Sequence, residues 1–180
     1  MYRKLKNIEL ERPSEEDYRN IDKLPVVVVL DNVRSQHNIG SVFRTSDAFL
    51  IEKVILCGIC ATPPTPEIHK SALGAENSVV WEYSKSTLDA VTDLKNMGYS
   101  LIGVEQTQGS TFIQNLEMDP AKKYALVFGN EVKGVSQEVI DECDLCMEIP
   151  QWGTKHSLNV SVSVGVVLWQ FLHRRLSQNQ

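Results

Sequence analysis

The run Pro25-Val-Val-Val-Val-Leu30 constrains this chain more than any other feature. A half-buried strand alternates apolar and polar residues, whereas an unbroken β-branched run marks a strand covered on both faces, as in parallel sheets flanked by helices. The sequence that follows has the matching layout. A polar loop, Asp31 to Asn38, leads into helical spacing from Gly40 to Leu50, where Val42, Phe43, Ala48 and Phe49 recur. Val54–Leu56 is a second strand, closed by Gly58 and a loop carrying Pro63, Pro64 and Pro66. Val79–Tyr83 is a short third strand, and Ser86 to Met97 a helix with Leu88, Val91 and Leu94 on one face and Gly98 as its stop. Leu101–Val104 and Ala125–Phe128 are further strands, Ser136 to Cys143 a short helix, and Cys146–Ile149 a last strand. Strands alternating with helices predict one α/β domain with a mainly parallel sheet covered on both sides.

The 180 residues suit a single domain with a real core. Residues 1–24 hold six basic and six acidic side chains and read as an N-terminal appendage, with Ser14 and Asp17 at the positions of a helix capping box. The domain proper is expected over residues 25–176. No apolar leader opens the chain, and the most apolar long stretch, Leu158 to Leu172, is broken by Asn159, Ser161, Ser163 and Gln170. No membrane span and a cytoplasmic location are therefore expected. Cys57-x-x-Cys60 and Cys143-x-x-Cys146 have a zinc-like spacing, but each borders an apolar strand-like run. Reduced thiols acting as small hydrophobes, with no metal, are the expectation, even if the two pairs lie close in space. The formal net charge of −5 excludes global attraction to nucleic acid, so such a partner must be held by a local basic surface.

Two segments resist pattern reading. Val160, Val162, Val164 and Val166 alternate with Ser161, Ser163 and Gly165, as in a strand, yet the segment runs on through Trp169, Phe171 and Leu172 to Arg174 and Arg175, which suits a helix. Gly129 to Ser136 has the two-glycine spacing of a phosphate-binding loop, but Val135 stands where that loop needs lysine and Glu131 where phosphates would lie. A glycine-rich turn bending around another ligand remains open.

Three polar clusters fall at predicted strand ends, where open α/β sheets bind ligands. They are Asn38-Ile-Gly40-Ser-Val-Phe-Arg44-Thr45, Phe128-Gly129-Asn130-Glu131-Val-Lys133-Gly134, and Ile149-Pro150-Gln-Trp-Gly153-Thr-Lys155-His156-Ser157-Leu158-Asn159-Val-Ser161. In order and spacing they resemble the three motifs of the SpoU (TrmH-like) family of RNA 2′-O-ribose methyltransferases, within the SPOUT superfamily. The resemblance spans about residues 25–172.

The resemblance implies a Rossmann-like α/β fold whose C-terminal part forms a deep trefoil knot. It implies S-adenosyl-L-methionine as cofactor, with Gly129, Ile149 and Leu158 at cofactor-contacting positions and Val104, Glu105 and Thr107 completing the pocket. It implies a homodimer through the last helix, so that Val160, Val164 and Trp169 become interface residues. The reaction is methyl transfer to a ribose 2′-hydroxyl of tRNA or rRNA. Arg44, Asn38, Glu131, Ser157 and Asn159 match the family's catalytic positions. Arg44 is implied as general base once substrate phosphate engages it. Guanidinium groups stay protonated in proteins, so a bidentate phosphate clamp is the less demanding role. Asn38 and Glu131 would orient Arg44, while Ser157 and Asn159 shape the loop.

Each of these residues also has a plainer reading. Asn38 and Gly40 could form a turn, Ser157 could cap the last helix, and Glu131 could be a solvated acid. Arg44, within an otherwise apolar helix face, is harder to explain that way. Arg34, His37, Lys70, Lys133, Lys155 and His156 would hold RNA phosphates, and Arg3, Lys4, Lys6 and Arg12 could extend that surface. The alternative function is a knotted RNA-binding or cofactor-sensing protein without turnover.

Overall fold

A computed structural model describes residues 2–178. After a 3-10 turn at Asn7–Leu10 comes α1 (Glu15–Asn20), started by the capping box: Ser14 Oγ accepts the Asp17 N–H while the Asp17 carboxylate accepts the Ser14 N–H. Tyr18 is the one buried residue of α1, and residues 2–17 lie at the surface. The valine run is β1 (Leu24–Asp31), buried on both sides. Val26, Val28 and Leu30 belong to the core on one face of the sheet, Val27 and Val29 to the core on the other. This is the two-sided burial that the unbroken run requires.

The chain continues through α2 (Gln36–Ala48), β2 (Ile51–Cys57), α3 (Pro66–Ala72), α4 (Ala75–Ser78), β3 (Trp81–Ser84) and α5 (Thr87–Asn96). Then come β4 (Tyr99–Val104), the two-residue β5 (Thr111–Phe112), a 3-10 turn at Ile113–Asn115, β6 (Lys123–Phe128), α6 (Gln137–Ile140), β7 (Leu145–Glu148) and α7 (Val160–Gln178). The strands form one sheet in the order β3-β2-β1-β6-β4-β7-β5, with every pairing parallel. Helices α2 and α7 pack on one face and α5 and α6 on the other. Among the described residues no helix is long and apolar enough to cross a membrane.

Three departures from the sequence expectation have physical causes. Helix α2 starts at Gln36 rather than Gly40, because Ser35 Oγ caps it by accepting the Asn38 N–H at 3.3 Å. Asn38 and Gly40 are therefore helical, not part of a turn. The proline-rich loop leads into α3, where Thr65 is the cap and Pro66 occupies the first turn. Proline is tolerated there because that N–H has no helical partner anyway.

Segment 160–178 is helical, and Val160, Val164, Val167, Leu168 and Phe171 bury one stripe of it. The alternation misleads because valines sit on both sides of the helix. Val160 and Val164, expected at a dimer interface, lie in the chain's own core; the apolar residues left exposed on α7 are Val162, Val166, Trp169 and Leu176.

All four cysteines are free. Burial pushes the thiols of Cys57 and Cys143 up to about 12 and that of Cys60 up to about 11. The two pairs are not neighbours. Strands β1, β6 and β4 separate β2 from β7, which at one strand spacing per step is roughly 19 Å. A single four-cysteine cage is thus excluded by geometry.

Candidate functional site

Because the strands run parallel, their C-terminal ends share one edge of the sheet. There β6, β4 and β7 open into a cavity of about 500 Å³, within the range typical of small-molecule sites. Its wall comes from Val104 to Gln106 after β4, Phe128 to Gly134 after β6, and Met147 to Ile149 with His156 to Val160 around the link from β7 to α7.

The loop after β6 is closed on itself. Asn130 and Gly134 exchange backbone hydrogen bonds at 3.2 and 3.1 Å, and Asn130 Oδ1 accepts the N–H groups of Val132 and Lys133 at 2.9 and 2.8 Å. The Glu105 carboxylate accepts the Val135 N–H at 3.0 Å and the Gln106 N–H at 2.9 Å, which ties the loop to the end of β4. Two glycines make this packing feasible. A Cβ on Gly129 would lie 1.9 Å from the Gly134 carbonyl carbon, and one on Gly134, whose φ is +69°, would lie 2.0 Å from Glu105 Oε2. The N–H groups of Val132, Lys133, Gly134 and Val135 are all spent internally. The loop therefore lacks the free amides of a phosphate cradle.

The third cluster is anchored at two points. Gln106 Nε2 donates to the His156 carbonyl at 2.8 Å. Asn159 Oδ1 accepts the Ser161 N–H at 2.9 Å and the Ser161 hydroxyl at 2.7 Å, so Asn159 caps α7. The cap expected of Ser157 belongs to Asn159, because α7 begins one residue after it; Ser157 is an exposed part of the cavity wall.

Asn159 also joins the three clusters. Its Nδ2 donates to Asn38 Oδ1 at 3.2 Å, and Asn38 Nδ2 donates to Glu131 Oε1 at 2.8 Å. Glu131 further accepts the backbone N–H groups of Arg34 and Ser35, each at 3.3 Å. Partial burial pushes the Glu131 carboxyl up, but bonds from its own N–H, Asn38, Arg34 and Ser35 outweigh it and hold the group below the usual carboxylate range. Glu131 is an ionised hydrogen-bond hub, not a free surface acid.

Arg44 is not part of this network. It lies six residues after Asn38, about 9 Å along the helix axis, on the outer side of α2 with His37, Ser41 and Ala48. The apolar face of α2 is made by Ile39, Val42 and Phe43, so Arg44 stands outside it. Among the described residues it has no hydrogen-bond or ion-pair partner, so Asn38 and Glu131 do not orient it within one chain.

Of the expected cofactor positions, Val104, Glu105, Gly129, Ile149 and Leu158 line the cavity. Thr107 does not; its carbonyl accepts the Ser110 N–H in the turn before β5. Of the expected basic residues, Lys133 and His156 are on the cavity wall, and Arg34, His37 and Lys155 are exposed beside network or wall residues. Lys70 lies apart on α3, paired with Glu67 at 2.8 Å. The sequence reading missed Gln106, Met147, Gln151 and Ser163 as wall residues. Gln106 was reachable as the neighbour of Glu105 at a strand end, whereas Met147 reads only as core.

The chain is similar to proteins already described. It is 30% identical over 166 residues to the 23S rRNA (guanosine-2′-O-)-methyltransferase RlmB of Neisseria meningitidis, a match covering 92% of this chain and 65% of that one. It spans 60% or 61% of the length of Staphylococcus relatives that it also matches. The AdoMet-bound rRNA methyltransferase from Sinorhizobium meliloti has a TM-score of 0.79 at 27% identity, over 88% of this chain and 60% of that one. The TrmH/SpoU tRNA modifying enzyme of A. aeolicus has a TM-score of 0.81 at 25% identity, over 92% of this chain and 84% of that one. The sequence model of the SpoU rRNA methylase family matches residues 25–169, and with two clusters walling one cavity and the first bonded to it through Asn38, the chain belongs to that family.

Proposed function

We propose that the chain is an S-adenosyl-L-methionine-dependent RNA methyltransferase acting on a ribose 2′-hydroxyl of tRNA or rRNA, as a cytoplasmic homodimer. One observation carries the reading: two clusters far apart in sequence form the wall of a single cavity, and the first is tied to that wall in series through Asn159, Asn38 and Glu131. The trefoil threading implied by the family belongs to the same reading. It is supported by the position of β7, which enters the sheet between the earlier strands β4 and β5.

The cavity fits the cofactor in size and chemistry. Val104, Phe128, Met147, Ile149 and Leu158 give apolar wall for a base and a thioether-like centre, while Gln106, Asn130 and Gln151 give polar rim for an amino-acid end. Gly129 leaves the backbone bare where a side chain could not fit. When bound, the cofactor supplies a methyl group on a sulfonium, a soft electrophile.

The protein's own residues then orient the ribose hydroxyl in line with that group and help remove its proton. Glu131 suits positioning rather than proton acceptance, since four hydrogen bonds already favour its ionised form. It holds Asn38, which holds Asn159 at the start of α7, so the cavity wall keeps one shape. Arg44, without a partner among the described residues, has its guanidinium fork available for the phosphate beside the target ribose. Arg34, Lys133 and Lys155 add positive charge for the RNA backbone, and His37 and His156 add ring N–H donors.

The homodimer is supported by the exposed stripe of Val162, Val166, Trp169 and Leu176 on α7. A second chain packed there would also bring new groups near α2, which contacts α7. The deciding experiment is transfer of labelled methyl from the cofactor to total RNA from cells lacking the protein, with mass mapping of the ribose methylation gained. A protein that binds the cofactor tightly yet labels no RNA overturns the enzyme reading in favour of binding without turnover.

A further inference from the structure

One tryptophan is left out of the packing. Trp152 is 91% exposed, in the segment between β7 and α7. Trp169 packs against Phe49 and His173, but Trp152 is in none of the ring pairs or cation–π contacts among the described residues. An indole held in water forgoes the apolar burial that tryptophan normally obtains.

The chain on either side of Trp152 is not free. Ile149 and Gln151 are cavity wall on one side, and His156 to Val160 are cavity wall on the other. The far side is fixed by the Gln106 bond to the His156 carbonyl and by the Asn159 cap of α7. Trp152 thus stands on a short bridge whose two ends both border the cavity, with the exposed Lys155 cation and the His156 imidazole a few residues on. A flat apolar face a few residues from a lysine cation matches the two halves of an unpaired nucleotide, a base with a free π face and a phosphate.

We propose that Trp152 is the platform on which an unpaired nucleobase of the RNA substrate stacks, next to the ribose presented to the cavity. The proposal rests on the methyl-transfer reading above. It makes the substrate a single-stranded loop or bulge, because a base inside a duplex has both faces covered by its neighbours.

The test uses the full chain and a pool of unmodified RNA stem-loops with randomised loops. RNA binding is read by fluorescence anisotropy, transfer by steady-state kinetics and cofactor binding by calorimetry. Trp152→Ala is expected to raise both the RNA Kd and KM roughly tenfold or more, the size of one base-on-aromatic stack. The kcat and cofactor affinity should stay within about twofold. Trp152→Phe should restore most of the loss, and Trp152→Leu, apolar but without a π face, should not. Annealing the loops to complementary strands should erase the difference between wild type and Trp152→Ala. Equal RNA binding by wild type and Trp152→Ala overturns the proposal, as does equal rescue by Leu and Phe. A change of oligomeric state in Trp152→Ala also overturns it, by showing the ring buried against a second copy. Wild type that binds the pool without transferring methyl groups overturns the enzyme reading alone, and the anisotropy comparison still decides Trp152; wild type that binds no RNA overturns both.

Discussion

Asn38 and Arg44 share one helix and live in opposite circumstances. Asn38 is gripped from both ends, by Asn159 at 3.2 Å and Glu131 at 2.8 Å, and sits over a loop whose backbone donors are all used. Arg44, two turns on, is exposed and partnerless among the described residues. One chain completes the cavity side of the proposed site with its own hydrogen bonds and leaves the phosphate-binding side as free charge. A preformed pocket beside an unengaged cation is what ordered binding would need: the small molecule meets a finished wall, while the arginine waits for a macromolecular partner.

That contrast can be broken most severely at Gly129. A Cβ there would meet the Gly134 backbone at 1.9 Å, so Gly129→Ala must displace the loop. Calorimetry should show cofactor affinity lost, and thermal unfolding a destabilisation of about 2–4 kcal/mol. Wild-type affinity in this variant would mean that the loop is softer than its hydrogen bonds indicate.

Arg44→Ala tests the other side. Methyl transfer should fall roughly 100- to 1000-fold, with cofactor affinity and Tm unchanged, because no hydrogen bond or ion pair among the described residues involves the side chain. Arg44→Lys should recover little, since a point charge does not replace a bidentate fork. A lowered Tm in Arg44→Ala would show the residue to be structural and dissolve the contrast.

Between these extremes lies Asn38→Ala, which removes one of the bonds to Glu131 and takes away the partner of the Asn159 amide. A stability loss of about 0.5–1.5 kcal/mol is expected, since the groups left behind still meet solvent, with transfer and cofactor affinity both reduced. Glu131→Gln has a smaller effect with a definite pH signature. Because the folded carboxyl is held below the usual range, its stabilisation is full above the unfolded carboxylate value and is lost as pH falls through the lowered folded one. The stability gap between wild type and Glu131→Gln should therefore close on acidification. It stays below about 1 kcal/mol because the carboxylate still meets solvent. A gap that widens in acid would reverse the assigned sign. The smallest effect is expected at Lys70, already paired with Glu67: Lys70→Ala should change transfer by less than about twofold, unlike Lys133→Ala at the cavity wall.

Much of this was legible before any coordinates. The valine run from Val26 to Leu30 required a strand covered on both faces, Ser14 with Asp17 and Ser86 with Gly98 bounded two helices, and the three clusters pointed to one site. These signals are local: they depend on neighbours within a few residues, or on the alternation of strands and helices. Helix α3 escaped because prolines at 63, 64 and 66 read as a loop, although Pro66 sits where a helix accepts proline.

By itself, then, the amino-acid order determined the layered parallel sheet, the glycines at 129 and 134 where no side chain fits, and the identity of the clustered residues. Only the tertiary structure decided who holds whom. It put Asn159 rather than Ser157 at the start of α7, turned Val160 and Val164 inward and Val162 and Trp169 outward, and set Cys57 four strand steps from Cys146. It also linked Asn159 to Asn38 across 121 residues and Asn38 to Glu131 across 93, while leaving Arg44 aside. The reason is range. Propensity, capping and burial period act over a turn or a strand, whereas hydrogen bonds between distant loops exist only once packing has brought their backbones together.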